Sequence, residues 1–367
     1  MRIIIISLMC WIAAVSVSYA EIKPQTPQPR EKMSYPGVNW FMLVDDVSGY
    51  IFDASTGGMQ GLISISSMTP TVQPSMERRE FYNAGSFYSR GAYGDRTDIL
   101  TVHDFENLSP IAEVKIPDKI TSLPIQNYIG LMSAGRHVAI SNITPALSIS
   151  IVDIEERVFV GEVSTPGCGL ILPVENNDFL TICGDGSLML IDLDSSGREQ
   201  NRVRTKQFFD VQDDPIFDRP VPASDGWLLF SHGGKAFNVT VEDDRINISS
   251  AWSLITEDEA QENWWPGGGQ LATLHKNLGL FYIVMHQGEQ YTHHEPGSEV
   301  WVFSTHSQRK IATIEFEKQV KHIMVTQEVE PLLIIGEKDG GTQIYDALTF
   351  QHERTIEGPS AAVLVDL

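Results

Sequence analysis

Seven stretches of this chain share one pattern: an apolar run rich in β-branched residues, a short polar turn, and a second apolar-rich run. Residues 149–163 (ISIVDIEERVFVGEV) show it plainly, with Asp153 opening the turn, and such alternation between turn signals reads as a β-hairpin. Related hairpins lie at 50–65, 101–116, 188–203, 236–254, 300–316 and 342–356. The turn-opening positions are Asp53, Asp104, Asp153, Asp192, Val239 (loosely aligned), Ser304 and Asp346, spaced 39 to 65 residues apart. A repeat of roughly 40–50 residues built wholly from strands is the signature of propeller blades. The expected fold is therefore all-β, a seven-bladed β-propeller over residues 35–367. Each hairpin would supply a blade's outer two strands and the preceding residues its inner two. Residues 137–143 play that part in the third blade, and 322–325 and 332–336 in the last. A β-sandwich is the competing architecture, but seven near-regular units are too many for one sandwich. A ring must also close, and residues 41–44 are expected to pair into the last blade.

Residues 1–20 (MRIIIISLMCWIAAVSVSYA) carry Arg2, an apolar run, and small residues at the −3 and −1 positions before Glu21. This pattern is that of a secretory signal peptide cut after Ala20. The run is too short for a preferred membrane anchor, and Met9 before Cys10 does not suit lipid attachment. An exported chain of this kind would reside in the periplasm. Residues 21–34 (EIKPQTPQPREKMS) read as a flexible or extended arm. Two cysteines remain after export, Cys168 and Cys183. In an oxidising compartment they are expected to join, adding roughly 3 kcal/mol in the chain-entropy model; two free thiols are the alternative. Two cysteines without a Cys/His cluster argue against a structural zinc. The formal charge of −22 becomes −23 when Arg2 is lost with the signal, which disfavours nucleic acid as a partner. The acidity serves solubility, or else favours cationic ligands or a basic partner surface.

Few stretches carry chemistry. Residues 81–96 include NAGSFYSRGAYGDR, either an inner strand plus turn or an exposed aromatic loop at a binding face. Thr256 and Glu259 form a capping box opening a short helix over 257–262. It runs into Asn263-Trp264-Trp265-Pro266 and three glycines, which lack the spacing and following helix of a phosphate cradle. Trp264 and Trp265 are either ordinary core packing or an anchor that meets a partner or lines an apolar channel. His286, His293 and His294 lie in a turn-rich stretch. Adjacent histidines in a strand would point opposite ways, so a solvated or loop-fixing role is preferred to a shared metal. Ser231-His232 lacks the frame of a nucleophile elbow, and the chain has no haem attachment site or dinucleotide fingerprint. No metal site, redox centre or catalytic constellation is expected in this chain.

Several segments together resemble the heavy subunit of quinoprotein amine dehydrogenases, the methylamine and aromatic amine enzymes. They are Arg96-Thr97-Asp98 leading into TVHDFENLSPIAEVKIP, the Cys168–Cys183 spacing followed by GDGSL, residues 264–270, and Thr292-His293 followed by PGSEVWVF. The resemblance runs through most of residues 80–358. It implies a periplasmic seven-bladed propeller paired with a small, disulfide-rich light subunit, two heavy and two light chains in all. The light subunit would carry tryptophan tryptophylquinone and the catalytic base. The complex would oxidise a primary amine to aldehyde and ammonia and pass electrons to a blue copper protein. On that reading this chain holds no catalytic residue and no cofactor. Trp264, Trp265 and His293 would lie on the surface facing the partner or the substrate channel. The family's first-blade region bears an aromatic residue on a longer connection near the substrate entrance; here the path from Val44 to Tyr50 is shorter, and no such residue is carried over. A stand-alone periplasmic binding or assembly propeller, and a propeller lactonase, are the competing functions.

Overall fold

The structure, a computed structural model, describes residues 32–66, 68, 69, 71–289 and 291–367. The expected signal peptide and residues 21–31 of the arm lie outside the described residues. The last residues of the arm do not hang free: Met33 is buried in the core, its amide donates to the Glu106 carbonyl (2.8 Å), and Lys32 pairs with the Glu106 carboxylate (2.6 Å).

All seven hairpins form where expected; six supply the outer strands of an antiparallel sheet, and the one at 300–316 lies inside the largest sheet. In the third sheet Ser148–Asp153 pairs with Val158–Ser164, and His137–Asn142 and Ile129–Leu131 complete it inward. Asp153 Oδ1 accepts from the amides of Glu155 (2.9 Å) and Glu156 (3.0 Å), and Asp346 does the same for Leu348 and Thr349. These carboxylates take up amides that the tight turn leaves without strand partners. Two expected turn positions are corrected. The fourth turn opens at Asp194, not Asp192; Asp194 caps Ser196 and Arg198. The fifth turns at Asp243-Asp244, both in the left-handed region (φ 48° and 59°), while Val239 lies inside the strand. Such a two-residue turn matches the twist of its flanking strands.

Among the described residues the fold is an all-β propeller of six hydrogen-bonded sheets: four of four strands, one of five, and one of eight. Seven separate sheets were expected. The eight-stranded sheet merges the last two units because Arg309–Val325 runs seventeen residues without a break. Its N-terminal half pairs with Gly297–Ser304 and its C-terminal half with Leu332–Glu337.

Apolar clusters alternate with sheets around the ring. Along Trp40–Val44 the pleat sends Trp40, Met42 and Val44 into the cluster shared with the second sheet. Phe41 and Leu43 go the other way, against Met324, Ile334, Ile344 and Ile356 of the eight-stranded sheet. Ring closure differs from expectation. Residues 41–44 do not add to the last blade; the C-terminal strand Val363–Asp366 adds to the first sheet as its innermost member, with Leu43 opposite Leu364. Gln270 from the eight-stranded sheet holds that strand by accepting from Leu364 N (2.7 Å) and donating to Leu364 O (3.0 Å). Cys168 and Cys183, direct cross-strand partners in the fourth sheet, form a disulfide.

Leu364 is fully buried, so Leu364→Ala should cost about 2–5 kcal/mol in chemical denaturation, and removing 363–367 should abolish cooperative unfolding. Cys168→Ser with Cys183→Ser should lower stability by roughly 3 kcal/mol, the loop-closure value for fifteen residues. Asp178 is buried beside Asp192; burial and that neighbouring carboxylate push its carboxyl up to about 7. A carboxyl raised in the fold favours folding below about 4 and loses that advantage as pH rises through 7. Asp178→Asn should therefore stabilise the protein at pH 8, by something on the order of 2 kcal/mol, and leave it unchanged near pH 3.5.

Candidate functional site

In each meander the turn between the second and third strands and the segment entering the innermost strand fall at the same end of the sheet, because strands alternate in direction. That end of the ring gathers residues distant in sequence. The innermost strands line a central channel of ≈ 210 Å³, among them Pro74, Val221, Ala272, Val325 and Leu364. The channel opens at this end into a mouth of ≈ 880 Å³ lined by Asp45, Asp46, Arg219, His294, Lys321 and His322. The short connection 45–47 is a turn in which Asp45 accepts from the amides of Val47 (2.8 Å) and Ser48 (2.7 Å). It presents no aromatic side chain to the mouth.

Beside the mouth lies a second pocket of ≈ 490 Å³, walled by Trp265, His232, Tyr291 and His293 and rimmed by Asp213, Asp214 and Glu289. Four segments build it. Trp264–Pro266 is a short strand added to Leu280–Gln287, with Trp265 opposite His286. The capping box forms as expected, opening the helix Glu257–Gln261 that delivers this strand. His286 fixes the turn after its own strand: Nδ1 donates to the Trp265 carbonyl (3.1 Å), and Nε2 lies 2.8 Å from the Thr292 hydroxyl oxygen, which itself donates to the Glu289 carbonyl (2.7 Å). Residues 231–234 contribute His232, whose ring stacks on His293 at 4.0 Å between centroids, 29° apart. His294 follows at 4.1 Å, and Phe217 closes the back against His232 at 4.3 Å.

Packing sets the charge state of these rings. Burial, and then the adjacent His293, lower His232 to about 4. Burial and His294 lower His293, and burial lowers His286. Neither His232 Nδ1 nor His293 Nδ1 has a hydrogen-bond partner that would favour a protonated ring. At neutral pH His232 is uncharged. At the mouth, burial, then Lys321 and Arg219, push His322 down to about 3, and its Nδ1 accepts from Gln270 N (3.1 Å).

The structure separates the expected site residues. Trp265 and His293 line one pocket. Trp264 points away and packs, tilted by 45°, against Trp301 at 5.6 Å beside the core. His293 and His294 are in a turn rather than a strand, and their rings lie together instead of pointing apart. Among the described residues no group of three or more His, Cys, Asp or Glu is arranged to hold a metal. His232 was weighed only as part of a nucleophile elbow and set aside, and Asp213 and Arg219 were missed; each sits in a polar connection with no motif around it.

From residue 38 to 365 the chain matches the methylamine dehydrogenase heavy chain family. It is 26% identical to the methylamine dehydrogenase heavy chain of Methylophilus methylotrophus over 296 residues, 80% of this chain and 72% of that one. With the Paracoccus versutus heavy chain the identity is 26% over 315 residues, 84% and 72% of the two chains. Among solved structures, a putative 6-phosphogluconolactonase from Bacteroides fragilis superposes with TM-score 0.62 at 13% identity, covering 90% of this chain and 98% of that one. Kuenenia stuttgartiensis hydrazine synthase does so with TM-score 0.59 at 12% identity, covering 92% and 99%. At those identities the likeness is one of fold alone.

A histidine whose folded pKa is depressed loses stability as pH falls from its ordinary 6.5 through the folded value. Unfolding free energy should therefore fall from pH 6.5 to 4, opposite in sign to the Asp178 effect, and His232→Gln should flatten that slope in urea titrations at fixed pH.

Proposed function

The chain belongs to the methylamine dehydrogenase heavy chain family, and from that premise we propose that it is the large subunit of a periplasmic amine dehydrogenase. Its role is to scaffold a small light subunit and shape substrate access. The observation that carries this reading is the length of the family match, which spans the whole ring from the first strand of the first sheet to the closing C-terminal strand. On this reading the eight-stranded sheet counts as two blades sharing Arg309–Val325, which gives seven.

Tryptophan tryptophylquinone, resident on the light subunit, would supply the two-electron oxidation of the primary amine to aldehyde and ammonia. A blue copper protein would take the electrons, and two heavy and two light chains would make the assembly. This chain's contribution is positional. The end of the ring bearing the channel mouth and the histidine pocket faces the light subunit and the substrate entrance, with Trp265 and His293 on it; Trp264 supports it from the core. The neutral His232 adds no positive charge to the pocket wall, and the cations of this end, Arg219 and Lys321, line the mouth beside it. The signal peptide ending at Ala20 would deliver the chain to the compartment where its disulfide persists.

Co-expression with a short, cysteine-rich, exported chain from the neighbouring coding region should yield a complex with quinone absorbance and dye-linked amine oxidation. The present chain alone should show neither. Trp265→Ala should weaken recovery of the complex or raise KM several-fold, and Trp264→Ala should act through stability instead. A chain that binds no small subunit and supports no amine oxidation would remove this reading in favour of a stand-alone propeller.

A further inference from the structure

We propose that the turn 174–178, at the end of the ring opposite the channel mouth, is a proton-operated latch, closed while Asp178 shares a proton with Asp192 and released when that proton leaves. The turn joins the first two strands of the fourth sheet, Cys168–Pro173 and Phe179–Cys183, so strand alternation places it away from the mouth. Hydrogen bonds from three sheets hold it. From the third, the Ala134 amide donates to the Asn176 carbonyl (2.9 Å) and the Ser133 hydroxyl to the Val174 carbonyl. From the fifth, the Trp227 indole donates to the Pro173 carbonyl (2.9 Å). Within the fourth, Asn177 donates to the Asp194 carbonyl (3.1 Å), and the Val174 amide closes the turn on the Asp178 carbonyl (3.0 Å). Asn177 also reaches the His137 ring of the third sheet (3.1 Å).

At the base of this turn two carboxyls meet. Phe179 pairs with Ile191, so Asp178 falls opposite Asp192, and the two side chains lie within hydrogen-bonding reach. Asp178 is only 5% exposed, and no lysine, arginine or histidine pairs with either carboxyl among the described residues. Two carboxylates in contact out of water repel strongly, so Asp178 keeps its proton and donates it to Asp192. The surroundings add to this. A basin of ≈ 940 Å³ beside the turn is lined by Glu175 of the turn itself, by Asp225, Glu242, Asp243 and Asp244 of the fifth sheet, and by Lys276 as its one cation. Burial, then Asp192, push Asp178 up to about 7; the Leu193 amide acts against them and Asp244 with them. Once the proton leaves, repulsion is relieved by swinging Asp178 out into the basin, which draws the turn off its bonds. In the open turn the carboxyl titrates near its ordinary value of about 4. Opening therefore releases one proton: it is rarest in acid, rises with pH from about 4, and levels off above 7.

The test is hydrogen exchange on the purified full-length chain, with rates corrected for the intrinsic pH dependence of amide exchange. The Ala134 and Val174 amides, whose bonds cross the latch, report on its opening. The Leu364 amide, bonded to Gln270 in the closing strand, reports on global unfolding. Protection of Ala134 and Val174 should fall about a hundred-fold from pH 5 to pH 8 and at pH 8 should be lower than that of Leu364. Asp178→Asn, which cannot ionise, should abolish the fall and leave both amides well protected at pH 8. Asp192→Asn removes the neighbouring charge and should shrink the fall. Exchange of all three amides together at pH 8 would mean that the turn opens only with the whole molecule, and would overturn the proposal. So would protection independent of pH in the parent, or an undiminished fall in both variants. The latch requires no partner, so none of these outcomes bears on whether the chain assembles into an amine dehydrogenase.

Discussion

One strand holds the ring together. Val363–Asp366 reaches back to pair with Trp40–Val44, bringing the two ends of the described chain into one sheet. Its side chains alternate: Val363 and Val365 join the cluster between the first and second sheets, and Leu364 joins the cluster between the first and the eight-stranded sheet. Both seams beside the closure thus depend on four residues. Gln270 adds a pair of hydrogen bonds across the seam, using both ends of its amide on the two backbone groups of Leu364. Without closure the first sheet would lose its innermost strand, and an open edge would face the channel.

Closure also creates the functional end of the molecule. Once the sheets are arranged around an axis, loops far apart in sequence converge where strands enter the centre. Residues 213–215, 232–235, 263–266, 289 and 291–293 meet there and form a pocket that no one of them could form. Packing four rings together in partial burial disfavours positive charge, so the convergence sets electrostatics as well as shape. Acidic residues line the pocket's rim, while burial holds His232 and His293 below the ordinary imidazole range.

The outer hairpins were legible because they are local. Alternating β-branched residues, turn aspartates and the Gly184-Asp185-Gly186 turn specify pairing within some twenty residues. Register faltered where the signal was degenerate: Asp192 and Asp194 both precede polar residues, and only the sheet shows that Asp192 lies within the strand beside Asp178 while Asp194 caps the turn. The short helix was legible from Thr256 and Glu259 for the same local reason. The break between the last two units was not legible, because Arg309–Val325 reads as two apolar segments around a charged middle and folds as one continuous strand.

Sequence alone determined the all-β class, the seven hairpins, the cysteine pair and the kinship carried by scattered motifs, because each depends on residues close in the chain or on their order along it. Tertiary structure decided which strand closes the ring, that Trp265 faces a pocket while Trp264 faces the core, and that His232 stacks on His293. The reason is physical: those outcomes depend on which side of a pleated strand meets which neighbour after closure. That choice is made by contacts between residues tens to hundreds of positions apart, which no local pattern encodes.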